Sequence, residues 1–140
     1  MVHALREICR VLDRNGALID MRPLAGNWPV EVISVRERRH VGEVTDLPQG
    51  LADDAAANHA MEQAESDGLL RRDQEEVFPF NYYWDSPSEM REFVETEWTD
   101  FVSIEDGLWK KVRAYWAVAD ADARVRIQLN MLLTRWSKLQ

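Results

Sequence analysis

The stretch "VLDRNGALIDMRPL" (residues 11–24) holds a helix end, a tight turn and a short strand, and the rest of the chain is read outward from it. Before it, Leu5, Ile8, Cys9, Val11 and Leu12 fall on one helical stripe over residues 2–12, with Arg6, Glu7 and Arg10 on the other side. That pattern predicts a surface helix laid on an apolar support. Asp13, Arg14 and Asn15 lose helical preference, and Gly16 is expected to take the left-handed conformation that turns the chain. Ala17 to Met21 follows as a run with little alternation, closed by Arg22 and Pro23. Such a run reads as a strand covered on both faces. A helix-to-strand unit of this kind belongs in the middle of a parallel sheet, yet almost no chain precedes it.

Composition narrows the classes available. At 140 residues the chain is read as a single domain, 1–140, able to bury roughly two-thirds of its unfolded surface. One cysteine excludes an intrachain disulfide and fits a reduced cytoplasm. No apolar run reaches membrane-spanning length, and Arg6, Glu7 and Arg10 interrupt any signal-peptide pattern, so the expectation is a soluble cytoplasmic protein with no membrane partner. A net charge of -8 argues against a nucleic-acid partner, which needs a basic face. Arg36, Arg38, Arg39 and His40 read as a solvated hairpin edge.

The remaining elements follow in an α+β order. Residues 30–35 and 40–45 form a hairpin around a polar turn, added to the core. Residues 49–67 form a helix with a narrow face of Ala56, Ala60, Met61 and Ala64, and Gly68 stops it. Residues 69–84 read as extended, with Phe78, Phe80, Tyr82 and Trp84 of one parity and Pro79 marking a bulge or an edge. "DSPSEMREFVETEW" opens a helix with Ser86 as N-cap, Pro87 at the first position and Glu89 completing a capping box. Its stripe is Met90, Phe93, Val94, Trp98 and Phe101; a second helix after Gly107 presents Leu108, Val112, Tyr115, Trp116 and Ala119. Residues 123–136 form the clearest strand, with Ala123, Val125, Ile127, Leu129, Met131 and Leu133 on one parity.

With this order in hand, "ALREICRVLDRNGALIDMRP" resembles the segment of class I S-adenosylmethionine-dependent methyltransferases that runs from the fourth helix into the fifth strand. Leu5, Glu7, Arg10, Val11, Leu12, Gly16 and Leu18 match the family pattern, whereas Asp13, Arg14 and Asn15 replace its Lys-Pro-Gly portion and keep a turn. The resemblance implies an α/β fold: the C-terminal part of a Rossmann-like sheet, with about three core strands, an added hairpin and helices. Residues 49–67 would be the last long helix, 70–84 the sixth strand, and 123–136 a final antiparallel strand inserted between the fifth and sixth. It further implies that the cofactor-binding half is absent, with its Gly-rich turn and ribose-binding acid. The glycines, at 16, 26, 42, 50, 68 and 107, never form a G-x-G. No cofactor is therefore expected for the isolated chain; S-adenosylmethionine belongs to the complete family fold.

Other chemistry has little support in the residues. His3, His40 and His59 are dispersed and lack metal-ligand spacing, so no metal site is expected. Cys9 lies on an apolar stripe and reads as a buried, inert thiol. The carboxylate pairs at 53–54, 75–76, and 95 with 97 read as solvated faces; catalytic residues are not assigned. In the family topology, Arg22, Tyr82, Tyr83, Trp84 and Arg124 would lie along the substrate-side rim, with Trp28 in the loop above. An aromatic cleft with cations suits a planar or anionic small molecule; the alternative is that the rings pack the hairpin and extra helices onto the sheet.

Without a fourth strand, the edge of Ala17 to Met21 lacks a partner, and each unmade buried backbone hydrogen bond costs on the order of 1–3 kcal/mol. Three covers are available: the hairpin, a second copy of the chain, or a separate cofactor-binding half. Self-association, most simply a homodimer, is the expectation. Three functions stay open: the substrate-side region of a methyltransferase that is not competent alone, a non-enzymatic binding or dimerisation module derived from one, or an inactive truncated remnant. Met1 stands against the first helix without a capping residue, which leans toward truncation or a misplaced start.

Overall fold

A computed structural model describes residues 2–139, with side chains from His3 onward. The elements are α1 (Val2–Val11), β1 (Ala17–Pro23), β2 (Pro29–Ile33), β3 (Arg38–Glu43), β4 (Thr45–Asp46), α2 (Pro48–Ser66), β5 (Leu70–Trp84), α3 (Pro87–Glu97), β6 (Val102–Ser103), α4 (Asp106–Ala117) and β7 (Arg124–Lys138). The fold is mixed α/β, and the ladders β1–β7, β2–β3, β2–β7 and β4–β6 are all antiparallel. The described chain divides into two compact units: residues 2–24, 52–78 and 131–139 make the first, and residues 25–51 and 79–130 the second. The long strands β5 and β7 contribute to both.

In the first unit β7 lies between β1 and β5. Its ladder with β1 runs from Ala17↔Ser137 to Pro23↔Met131. Along β5 the Ser137–Asp73 and Thr134–Glu75 side-chain pairs climb one strand as they descend the other, so β5 also runs against β7. Helices α1 and α2 cover one face: Leu5, Cys9, Ala60, Met61, Ala64, Leu70 and Trp136 form a buried cluster, with Ile8, Leu18 and Leu69 packed on it. The small side chains of Ala60 and Ala64 let α2 approach the sheet closely. Gly68, at φ 70°, closes α2 with Gly68 N–H on Glu65 O and Leu69 N–H on Ala64 O, both at 3.0 Å, a Schellman arrangement.

Two readings of this region change. Gly16 does not use positive φ, since Gly26 and Gly68 are the glycines that do. It is required for space: a Cβ there would stand 2.9 Å from Asp13 O and 3.2 Å from Leu12 Cβ, inside the turn closed by Gly16 N–H on Asp13 O. Nor is β1 buried on both faces. Leu18, Asp20 and Arg22 are half-buried, whereas Ile19 and Met21 are 56% and 61% exposed. Both helices take the same face of the sheet, so the opposite face keeps its apolar side chains in solvent.

In the second unit the hairpin turns at Ser34, whose N–H donates to Glu37 O and whose hydroxyl accepts from the N–H groups of Arg36 and Glu37. β2 pairs with β7 from Val30↔Ile127 to Ile33↔Arg124. Among the described residues the hairpin's ladder into the sheet is therefore with β7. Helix α4 packs on the hairpin and against α3. Its buried positions are Trp109 and Val112, while Tyr115 and Trp116 are exposed, so the buried stripe is narrower and rotated from the one expected. Ser86 caps α3 by accepting from Glu89 N–H, and the Glu89 carboxylate reaches back to Asp85 N–H. A short ladder, Thr45↔Ser103 and Asp46↔Val102, joins β4 to β6.

β7 also departs from a single alternation. Val125, Ile127 and Leu129 are buried in its first half, but Leu132, Thr134 and Trp136 are buried in its second. The phase changes at Asn130–Met131, where the division into units also falls along this strand. Among the described residues no helix is long and apolar enough to cross a membrane.

Candidate functional site

The first unit presents an unfinished strand. Among the described residues β1 is the terminal strand of its sheet, hydrogen-bonded to β7 on one side. In an antiparallel ladder alternate residues turn both N–H and C=O toward the partner, so the remaining residues of β1 direct theirs outward. The exposed face beside that edge carries Ile19 and Met21, and Ile19 with Leu133, Gln74, Glu76 and Arg135 lines a shallow depression of about 200 Å³. Hydrogen-bonding groups along an edge next to an apolar face are what a further strand and its covering layer require. Seven residues of β1 make this edge long enough for such pairing.

The six residues expected along a substrate rim are distributed over three settings. Arg22, in the first unit, is engaged by its neighbours: Nη2 donates to Asn58 Oδ1 at 2.6 Å, Nη1 to Asp54 O at 3.4 Å, and Nε lies 3.3 Å from Asp20 Oδ2. Trp28, Tyr82 and Trp84, in the second unit, join a cluster with Phe80, Phe93 and Trp98. Tyr82 stacks on Trp84 at 5.9 Å, and Trp98 meets Tyr82, Trp28 and Phe93 edge-on at 5.0–5.4 Å. These rings pack α3 against β5. Tyr83 and Arg124 stand apart from the cluster, beside Ile33, Val35 and Asp122, and Arg124 pairs with Asp85 at 2.9 Å. The two-residue period of β5 separates Tyr83 from Tyr82 and Trp84.

Sequence reading missed a charge cluster in the second unit. Glu31 is buried on β2; its Oε1 accepts from Arg38 Nε at 2.6 Å and its Oε2 from Arg126 Nε at 2.7 Å, with Arg126 Nη2 closer still. Burial pushes the Glu31 carboxyl up, but the two guanidiniums more than offset this and hold it below its ordinary value. The Glu31↔Arg126 register and the two-residue offset to Arg38 were readable only once strand pairing was known. The cluster is structural in kind, since its donors and acceptors satisfy one another.

Cys9 is buried, and desolvation raises its thiol above the ordinary range despite the nearby Lys138 ammonium, a setting that disfavours the nucleophilic thiolate. Among the described residues no group of three His, Cys, Asp or Glu side chains is arranged to hold a metal ion. Comparison of the chain with protein-family models, with curated proteins and with solved structures found no match.

Proposed function

We propose that this chain is the C-terminal, substrate-side region of an S-adenosylmethionine-dependent methyltransferase-like protein, which becomes competent when a cofactor-binding half completes its sheet at β1. The observation that carries the reading is the open edge of β1 beside the solvent-exposed Ile19 and Met21. The strand order adds support. β7 between β1 and β5, antiparallel to both, is the arrangement that the sequence resemblance calls for at the end of such a sheet. Helices on one face only leave the other for the layer that a cofactor-binding half would supply.

The division of labour follows. The glycine turn and ribose-binding acid would come from that cofactor-binding half, and this chain would contribute the wall over which the methyl acceptor lies. The chain alone is then inactive by lack of a cofactor site.

The test uses calorimetry with S-adenosylhomocysteine. The chain alone should give no binding heat. The same chain co-expressed with the segment encoded directly upstream, which should read as strand, G-x-G turn, helix and acidic residue, should bind. Binding by the chain alone, or an upstream region without that segment, refutes the reading.

A further inference from the structure

The turn that joins α1 to β1, Asp13 to Gly16, contains the dipeptide Asn15–Gly16. Arg14 and Asn15 are its central residues, and Gly16 N–H closes it by donating to Asp13 O at 2.8 Å. Among the described residues only glycines take positive φ, so the turn is of type I with Asn15 in its third position. Asn15 is exposed. Of the five asparagines, at 15, 27, 58, 81 and 130, it is the one followed by glycine.

That pairing carries a reaction. Attack of the Gly16 nitrogen on Asn15 Cγ forms the N–Cγ bond and breaks Cγ–Nδ2. Nδ2 leaves as ammonia, taking the proton that the Gly16 nitrogen loses, and a five-membered imide remains. Water then opens the imide: addition at Cγ gives aspartate, and addition at the main-chain carbonyl carbon gives isoaspartate, in which the backbone runs through the former side chain. Glycine permits the closure because it brings no side chain against Cγ.

The fold opposes the reaction in two ways. The third residue of a type I turn has ψ of about 0°, whereas ring closure brings Gly16 N into line with Asn15 Cβ, a rotation of about one-third of a circle. The Gly16 N–H is also bonded to Asp13 O and must leave it before base can take its proton. Lys138 fastens the same turn from β7: its N–H donates to Gly16 O at 3.2 Å and its ammonium to Leu12 O at 2.7 Å. Release of these contacts is a local opening that leaves the rest of the sheet paired.

We infer that Asn15 is a site of spontaneous isoaspartate formation gated by opening of the Asp13–Gly16 turn, with Lys138 as the clamp. The change is irreversible, because the ammonia is lost. Isoaspartate lengthens the backbone between the Cα of residue 15 and Gly16 N by a methylene, so the turn does not close again on the same Gly16–Asp13 bond. The inference does not depend on the methyltransferase reading, because it uses neither the open edge of β1 nor a cofactor.

The test is peptide mapping by mass spectrometry of the whole chain held at about pH 8, folded and in about 6 M guanidinium, with isoaspartate told from aspartate by its backbone fragments. In guanidinium the peptide containing Asn15 should convert from amide to acid with isoaspartate formed, while Asn27, Asn58, Asn81 and Asn130 convert far more slowly. In the folded chain the Asn15 rate should fall by about tenfold to a thousandfold, the range of a local opening. Lys138→Met should raise the folded rate about fivefold, the loss of one ammonium–carbonyl hydrogen bond, and leave the guanidinium rate unchanged; Lys138→Arg, which keeps a donor, should restore the slow rate. Equal rates in the folded chain and in guanidinium, or no isoaspartate at residue 15, would overturn the inference. So would a folded rate more than about a thousandfold lower, which ties the reaction to global unfolding, or a Lys138→Met rate equal to that of the unaltered chain.

Discussion

Replacing Glu31 by Gln should destabilise the second unit by about 3 kcal/mol, the lower end of the cost of breaking a buried ion pair, because the amide keeps the shape and one acceptor. The figure follows from burial. Glu31 and Arg126 side chains are 3% and 12% exposed, so the substitution strands a guanidinium that water reaches poorly. Arg38 is 62% exposed and can rehydrate, so Arg38→Ala should cost less than about 1 kcal/mol. At about 3 °C per kcal/mol for a chain of this size, Glu31→Gln should lower Tm by about 9 °C in thermal unfolding followed by circular dichroism. The pH dependence supplies the sign. Because the folded carboxyl sits below its ordinary value of 4.5, its contribution is complete above that pH and is lost as pH falls through the folded value. The gap between wild type and Glu31→Gln should thus be constant from pH 5 to 7 and close progressively in acid. A loss under about 1 kcal/mol at pH 7, or a gap that persists unchanged to pH 2, would refute the assignment of a buried ion-paired carboxylate.

Other outcomes follow from the first unit. Ile19→Lys with Met21→Lys should change stability by less than about 0.5 kcal/mol in urea unfolding, since both side chains are already exposed. A large stability loss would mean that this face is covered. Gly68→Ala should cost about 1 kcal/mol in urea unfolding, because φ is 70° with no steric obstacle nearby. Cys9 should react with a thiol reagent at pH 8 far more slowly in the folded chain than in 6 M guanidinium, given its burial and raised thiol; equal rates would contradict both.

Much of the architecture is legible locally. The Ser86–Pro87–Glu89 signature marks α3 because capping is a matter of a few adjacent residues, and Gly68 marks the end of α2 for the same reason. The alternation of Val125, Ile127 and Leu129 marks β7, but its change of phase at Asn130–Met131 is not legible, since Leu132 and Leu133 are equally apolar and tertiary packing chooses between them. β1 misleads for a related reason. A continuous apolar run reads as covered on both faces, yet coverage depends on layers elsewhere in space. The rim residues are legible as aromatics and cations, whereas the separation of the aromatics into a packed cluster and the Tyr83–Arg124 side follows from β5 pleating and strand pairing. The Glu31 cluster is not legible because it arises from register between distant strands.

The proposed function requires that β1 be an edge awaiting a strand. Residue-resolved amide exchange over residues 17–22, at a concentration where sedimentation shows the monomer, measures this directly. Protection should alternate along β1: amides bonded to β7 are protected, and those facing outward exchange at rates close to unprotected chain. Uniform protection of all these amides in the monomer would contradict it.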